Sequence, residues 1–235
     1  MVFDFRMGRG REGPQKFLGQ FGGILQTDGY VAYERDVGGE GLVHAVCWAH
    51  SRRKFIDALK VNESDKAAAA IVCKIDALFA IDREARERGL DHAARHVLRT
   101  ERAVPLVAEI KPLILAAQLA ALPSSTLGKA ASYTLSLWTK LTRFLEYPEL
   151  ELSNNRAENS MRPVALGRKN WIHVGSEQAG PKVAAILSAV ETCRRMGIRV
   201  REYFGDVLPG LADVSVQRVA ELTPAAWAAR RAERL

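Results

Sequence analysis

The chain has 235 residues, with 34 Lys and Arg against 27 Asp and Glu, a formal net charge of +7 and a hydrophobic content of 48%. That content supports a packed core and excludes a disordered or fibrous chain, and the length suits one elaborated domain or two small ones. The positive balance permits a polyanionic partner without requiring one.

Three cysteines, Cys47, Cys73 and Cys193, are too few and too widely spaced for a disulfide framework or a four-cysteine zinc site, which points to a reducing cytosol. Arg6, Arg9 and Arg11 follow the first five residues with no apolar segment between them, so no signal peptide is expected. The apolar run 113–122 is far short of the roughly 20 residues that span a bilayer, and a soluble, cytoplasmic protein with no membrane partner is expected.

Residues 1–59 read as alternating α/β. Val2 to Phe5 is a strand candidate, Gly13-Pro14 opens a helix through Phe17, Leu18 and Phe21, and Gly22-Gly23 breaks it. Ile24 to Thr27 forms a compact strand ending on Asp28-Gly29, and a second strand, Leu42 to Trp48, feeds a basic helix from about Ala49.

Residues 60–147 read as an all-helical block. Ala67, Ile71, Ile75, Leu78 and Asp82 recur by three and four and leave Arg83, Glu84, Arg86 and Glu87 to water, with a stop near Gly89. Pro105 and Pro112 predict a kink or two helices, and Ser125 or Thr126 caps a helix carrying Leu127, Ala131, Thr134, Trp138, Leu141 and Leu145 up to Pro148. Within 148–208 one helix passes through Glu158 and Arg162, and another runs from Pro181 to Met196, closed by Gly197. The tail, 209–235, is expected to be partly disordered.

Asp28 sits where a buried strand ends, the place where open α/β sheets gather ligands, although Asp-Gly also serves as a plain turn. Asn155 with Glu158 three residues on forms an Asn variant of the capping box and needs no function to exist. Beyond Glu158 there is no acid until Glu177, while Arg162, Arg168, Lys169 and His173 accumulate around Trp171, a run that suits phosphate contacts and stacking or a solvated basic face. Cys47 and His50 have Cys-x-x-His spacing without a second pair for zinc, Cys73 and Cys193 fit a core, and Arg52-Arg53-Lys54 is a compact basic cluster. Asp28 and Glu158 are 130 residues apart, where one strand, one helix and their loops need only roughly 35, so the helical block is an insertion.

Several segments in order, LQTDGY at 25–30, CWAHSRRKF at 47–55, NNRAE at 154–158, Arg162-Pro163 and GRKNW at 167–171, resemble the transposases of the insertion-sequence 66 family, over about Phe3 to Leu208. The resemblance implies a ribonuclease H-like DDE catalytic domain, here an incomplete α/β fold interrupted by a helical insertion, acting in DNA cleavage and strand transfer. In such enzymes two Asp and one Glu hold two Mg²⁺ ions, for which Mn²⁺ can substitute. It assigns Asp28 as the second Asp and Glu158 as the Glu, both catalytic metal ligands, with Cys47, His50 and Asn155 as supports. Arg162, Arg168, Lys169 and Trp171, then Arg52, Arg53 and Lys54, are the candidate contacts to transposon-end or target DNA.

The family's first Asp lies in an Asp-Glu-Thr segment that this sequence does not contain. Asp4 does not replace it, because 24 residues before Asp28 leave no room for the two further strands the fold requires. The expectation is a fragment inactive by itself. The alternative is a non-catalytic DNA-binding or partner-binding remnant that modulates a full-length transposase; for either reading the expected protein partners are further copies of the chain or a full-length transposase.

Overall fold

The computed structural model describes residues 1–34, 37–170 and 174–233, apart from the side chains of Lys169 and Asn170. It divides into two compact units, Pro14–Arg156 and a second made of Met1–Gly13 with Ala157–Leu235. Residues 14–59 of the expected first part of the α/β core and the helical block therefore share one unit, and residues 1–13 belong to the other.

Helix α1 (Glu12–Leu18) ends before Phe21, and two parallel strands follow, β1 (Gly23–Thr27) and β2 (Leu42–Val46), in the register Gly23↔Leu42 to Thr27↔Val46. Among the described residues the sheet has these two strands. A parallel pair needs a crossover, supplied here by a loop holding a 3₁₀ turn at Val31–Tyr33. Helix α2 (Trp48–Val61) leaves the end of β2 and buries Trp48, Ser51, Phe55 and Ala58, three and four apart, so that one stripe faces the core.

Five more helices follow in this unit among the described residues. Helix α3 (Lys66–Glu87) starts where Asp65 accepts from the Ala68 amide at 2.9 Å and stops at Gly89, whose φ of 60° is open to glycine at little cost. Its buried register is Ala68, Ile71, Ile75 and Leu78; Ala67 is exposed.

Helix α4 (His92–Leu98), a π turn (Arg99–Ala103) and α5 (Val104–Ala120) run on as one 29-residue helix. Pro105 and Pro112 both lie inside this continuous helix, and the π turn directly precedes Pro105, where an interior proline removes a ladder donor. This helix is long and apolar enough to cross a bilayer, contrary to the shorter run expected, yet Val107, Ile110, Ile114 and Ala117 pack into the core of the unit.

Ser125 caps α6 (Thr126–Ser136) through the Gly128 amide at 3.0 Å. The single helix expected up to Pro148 is broken at Leu137, followed by α7 (Trp138–Thr142) and a 3₁₀ turn (Arg143–Leu145). The Thr134 and Ser136 hydroxyls donate back to the carbonyls of Ala130 and Tyr133, and such bonds compete with the helix ladder at this break.

Inside the helical block Asp82 and Arg99 are both 2% exposed at the side chain and form an ion pair of 2.5 Å. Asp82 lies on the inward stripe of α3 as its spacing predicted, and it is the charge of Arg99 that makes that position tolerable. Cys73, expected in the core, is exposed, while Cys193 is buried.

The second unit contains α8 from Ala157 onward (helix bounds Asn155–Asn170), α9 (Ala179–Arg195), α10 (Val200–Val207) and α11 (Pro224–Ala232). Gly197, at φ 67°, closes α9 as expected. Val2–Phe5 is not a strand: its amide at Phe3 donates to Ser188 Oγ of α9 at 2.8 Å, and Phe5 lies against Gly180, so a helix face takes the groups a neighbouring strand would pair.

The described part of the tail carries a 3₁₀ segment, Val216–Leu222, and α11. Tyr203, Val207 and Cys193 form a small core with Leu222 and Trp227, and Tyr203 donates to the Leu222 carbonyl at 2.7 Å.

Candidate catalytic edge of the parallel sheet

Asp28 follows the last residue of β1 and is exposed at the carboxyl edge of the sheet. Its carboxylate Oδ1 accepts the Tyr30 amide at 2.9 Å, the Asx turn that an Asp-Gly pair favours. Thr27 Oγ1 accepts the Gly29 amide at 3.2 Å and lies 2.8 Å from Nε2 of His44 on β2. Burial and the nearby Lys140 push His44 down to about 4, partly opposed by Glu34, so the ring that hydrogen-bonds the Thr27 hydroxyl is neutral near pH 7.

The helical block reaches this turn. Tyr133 of α6 donates to the Asp28 carbonyl at 2.9 Å, and Gly29, at φ 83°, leaves space for it: a Cβ there would stand 2.8 Å from Leu137 Cδ1 and 2.9 Å from the Tyr133 hydroxyl. Burial, then the charge of Asp28 and the thiol of Cys47, push Tyr133 up to about 12, and burial followed by Asp28 also raises Tyr33. Lys54 of α2 sits over the Tyr133 ring at 4.4 Å. Lys140 of α7 pairs with Glu34 at 2.6 Å.

The segment that leads into α8 is tied to the same edge. Gln26 Nε2 donates to the Glu151 carbonyl at 2.6 Å and the Trp48 amide to the Leu152 carbonyl at 2.9 Å. The Asn154 amide donates to Cys47 Sγ at 3.5 Å. Cys47 is buried, and its own amide donates to the Thr27 carbonyl at 3.1 Å, continuing the ladder one residue past β2. Cys47 is thus a junction between β1, β2 and the approach to α8.

Asn155 is the first, exposed residue of α8, and Glu158 lies half-buried in its first turn. His50 is half-buried on α2. Along α8, Arg162 and Arg168 are exposed; the side chain of Lys169 and the whole of Trp171 lie outside the described residues. Arg53 and Lys54 are exposed on α2, whereas Arg52 is held by both oxygens of Asp76 on α3, which raises its affinity for the proton.

An exposed carboxylate on a rigid strand end is the kind of hard oxygen donor that magnesium takes. Among the described residues no group of three or more His, Cys, Asp or Glu that could hold a metal ion occurs. Sequence reasoning missed Tyr133, Gln26 and His44, and only the flanking apolar spacing of α6 hinted that Tyr133 faces inward.

Among known proteins, residues 1–182 match the family described as Transposase IS66 family. The chain is 33% identical over 233 residues to the uncharacterized protein y4jD of Sinorhizobium fredii (strain NBRC 101917 / NGR234), covering 96% of this chain and 45% of that protein. It is 32% identical over 231 residues to the uncharacterized protein y4hP of the same organism, covering 92% and 42%. The chain thus spans less than half the length of these relatives. No solved structure matches it. With more than half of its residues matched, the chain belongs to the IS66 family of transposases.

Proposed function

We propose that this chain is part of the phosphoryl-transfer machinery of a DDE-type DNA transposase, with a ribonuclease H-like core built on β1 and β2. Asp28 and Glu158 are the carboxylates that would hold magnesium, with manganese as a substitute. Ions held there would help activate the attacking oxygen and stabilise the leaving one. The observation that carries the reading is the fastening of the approach to α8 at Leu152 and Asn154 onto Trp48 and Cys47, beside the strand end that bears Asp28. Cys47 supports that junction, Tyr30 and Thr27 fix the Asp28 turn, and His50 and Asn155 flank the same segments.

DNA is the proposed partner, transposon ends and target alike, held at its phosphates by Arg162, Arg168 and Lys169 with Trp171 stacking, and by Arg53 and Lys54. Because no three candidate ligands gather among the described residues, the 235-residue chain by itself is proposed to bind DNA without cutting it. Incubation with transposon-end DNA and Mg²⁺ or Mn²⁺ tests this. Retarded but uncut DNA is expected, and cleavage lost on Asp28→Asn or Glu158→Gln would overturn the inactivity while supporting the two ligands.

The same shortage of ligands favours a second reading, a non-catalytic protein that modulates a full-length transposase. Co-purification with an intact homologous transposase, accompanied by lower strand transfer, would favour it over the first.

A further inference from the structure

A cavity of about 500 Å³, the size of a small-ligand site, opens in the second unit between α10, the 3₁₀ segment Val216–Leu222 and α11. It lies past residue 182, where the match to the family ends. Val207, Leu222 and Trp227 line it with apolar surface, and Asp206, Arg230 and Arg231 add charge.

The polar groups have bonding capacity left. Trp227 Nε1 donates to Asp206 Oδ2 at 3.1 Å, while Asp206 Oδ1 accepts no hydrogen bond among the described residues. Arg218 takes both oxygens of Glu221, at 3.0 and 2.9 Å, so Arg230, which donates to the Glu221 backbone carbonyl at 2.7 Å, keeps its charge for a ligand. Arg231 meets Glu202 and Asp206 only at 3.4 and 3.7 Å, and Glu202 already receives Arg199 at 2.8 Å. Two exposed guanidiniums thus stand against one carboxylate, an excess of positive charge. Arg231 also lies over the Trp227 ring at 5.1 Å, and Tyr203 meets that ring edge-on at 5.9 Å, two contacts that hold the indole in place.

An anion for two guanidiniums, a flat body for the indole and a donor for the open carboxylate oxygen describe one ligand class, a nucleotide. We infer that this pocket holds one unpaired nucleotide of a DNA strand, its base packed on Trp227 and Leu222, its phosphate between Arg230 and Arg231 and its exocyclic amine on Asp206 Oδ1. The ligand class rests on the DNA partnership proposed above, whereas the place rests on the pocket alone. Cytosine turns its N4 amine to a carboxylate where thymine turns the O4 acceptor, so cytosine is preferred among pyrimidines. Duplex DNA is the wrong occupant, because its bases are stacked on one another and hidden from the ring. An acidic peptide is disfavoured by Asp206, which opposes a ligand carboxylate in the same cavity.

Fluorescence anisotropy of the full chain with short labelled oligo(dC) and oligo(dT) is expected to show oligo(dC) bound at least about fivefold more tightly. Asp206→Asn, at an exposed side chain that still accepts from Trp227, brings the two affinities within about twofold. Arg230→Gln, also exposed, lowers the slope of log affinity against log salt by about 0.7 for both strands. Trp227→Leu weakens both at least about tenfold, and neither it nor Arg230→Gln changes the binding of duplex transposon ends, which α8 holds. Single strands indifferent to all three substitutions while duplex binding persists, a preference for oligo(dT), free dCMP bound as tightly as the strand, or an oligoglutamate peptide that displaces oligo(dC) at equal concentration would each overturn the inference. Loss of duplex binding with the cytosine preference intact would support this pocket and remove α8 from the DNA contact.

Discussion

The Tyr133 hydroxyl donates to the backbone carbonyl of Asp28 across 105 residues of sequence, joining the helical block to the turn that ends β1. Tyr133→Phe removes that bond and leaves an acceptor that water can reach, at a cost of about 1 kcal/mol. Gly29→Ala forces an L-residue to φ 83° and drives a methyl into Leu137 and Tyr133, at a cost of about 1–3 kcal/mol. Urea denaturation of both variants checks the order, and a Gly29→Ala variant as mild as Tyr133→Phe would contradict the crowding.

His44 links this turn to pH. Its folded value of about 4 lies below the ordinary 6.5, so the unfolded chain binds the proton more readily over that interval. The contribution is fully present above pH 6.5 and is lost as pH falls through 4, by about 1–2 kcal/mol once solvent screening of a half-buried ring is allowed for. Urea midpoints from pH 7.5 to pH 4 are expected to fall more steeply for the wild type than for His44→Gln. The opposite sign applies at the alkaline end: Tyr133 at about 12 keeps its proton when the unfolded chain has lost it, so stability falls from pH 10 towards 12.

The buried pair of Asp82 and Arg99 holds the helical block to the segment that precedes α8. Beyond Asp82, the Arg99 guanidinium donates to the carbonyls of Phe144 at 2.8 Å and Leu150 at 2.6 Å, and Arg86 reaches the other Asp82 oxygen at 2.9 Å. Arg99→Met leaves a buried carboxylate short of its main partner and is expected to cost about 3–5 kcal/mol, of which Asp82→Leu added to it recovers a large part. Thermal melts of the two variants measure this. No recovery in the double variant would mean that the carbonyl contacts, rather than the charge, are what Arg99 supplies.

The basic residues separate into two groups by what they touch. Arg52 is bound to Asp76, so Arg52→Ala is expected to leave the salt dependence of DNA binding nearly unchanged while lowering stability. Arg162→Ala and Arg168→Ala, at exposed positions of α8, should each reduce the slope of log affinity against log salt by about 0.9. Filter binding across a salt series distinguishes them, and a slope untouched by either α8 variant would remove α8 from the DNA contact.

Local signals in the sequence determined the elements whose boundaries are written in neighbouring residues. Ser125, Gly89 and Gly197 marked helix ends, the apolar run at 24–27 marked β1, and the Cys-Trp-Ala-His segment marked the passage from β2 to α2. The order of those segments also carried the family. Where the chain needed a distant partner, local reading failed. Val2 to Phe5 alternates like a strand, but alternation makes a strand only beside another, and its Phe3 amide found Ser188 instead. Asp82 fell on the inward stripe of its helix, yet nothing nearby in sequence announced Arg99 as its counter-charge. Only the tertiary structure brought Tyr133 to Asp28 and Asn154 to Cys47, because those contacts depend on where separate elements pack, and the free energy of that packing is not contained in any short window of residues.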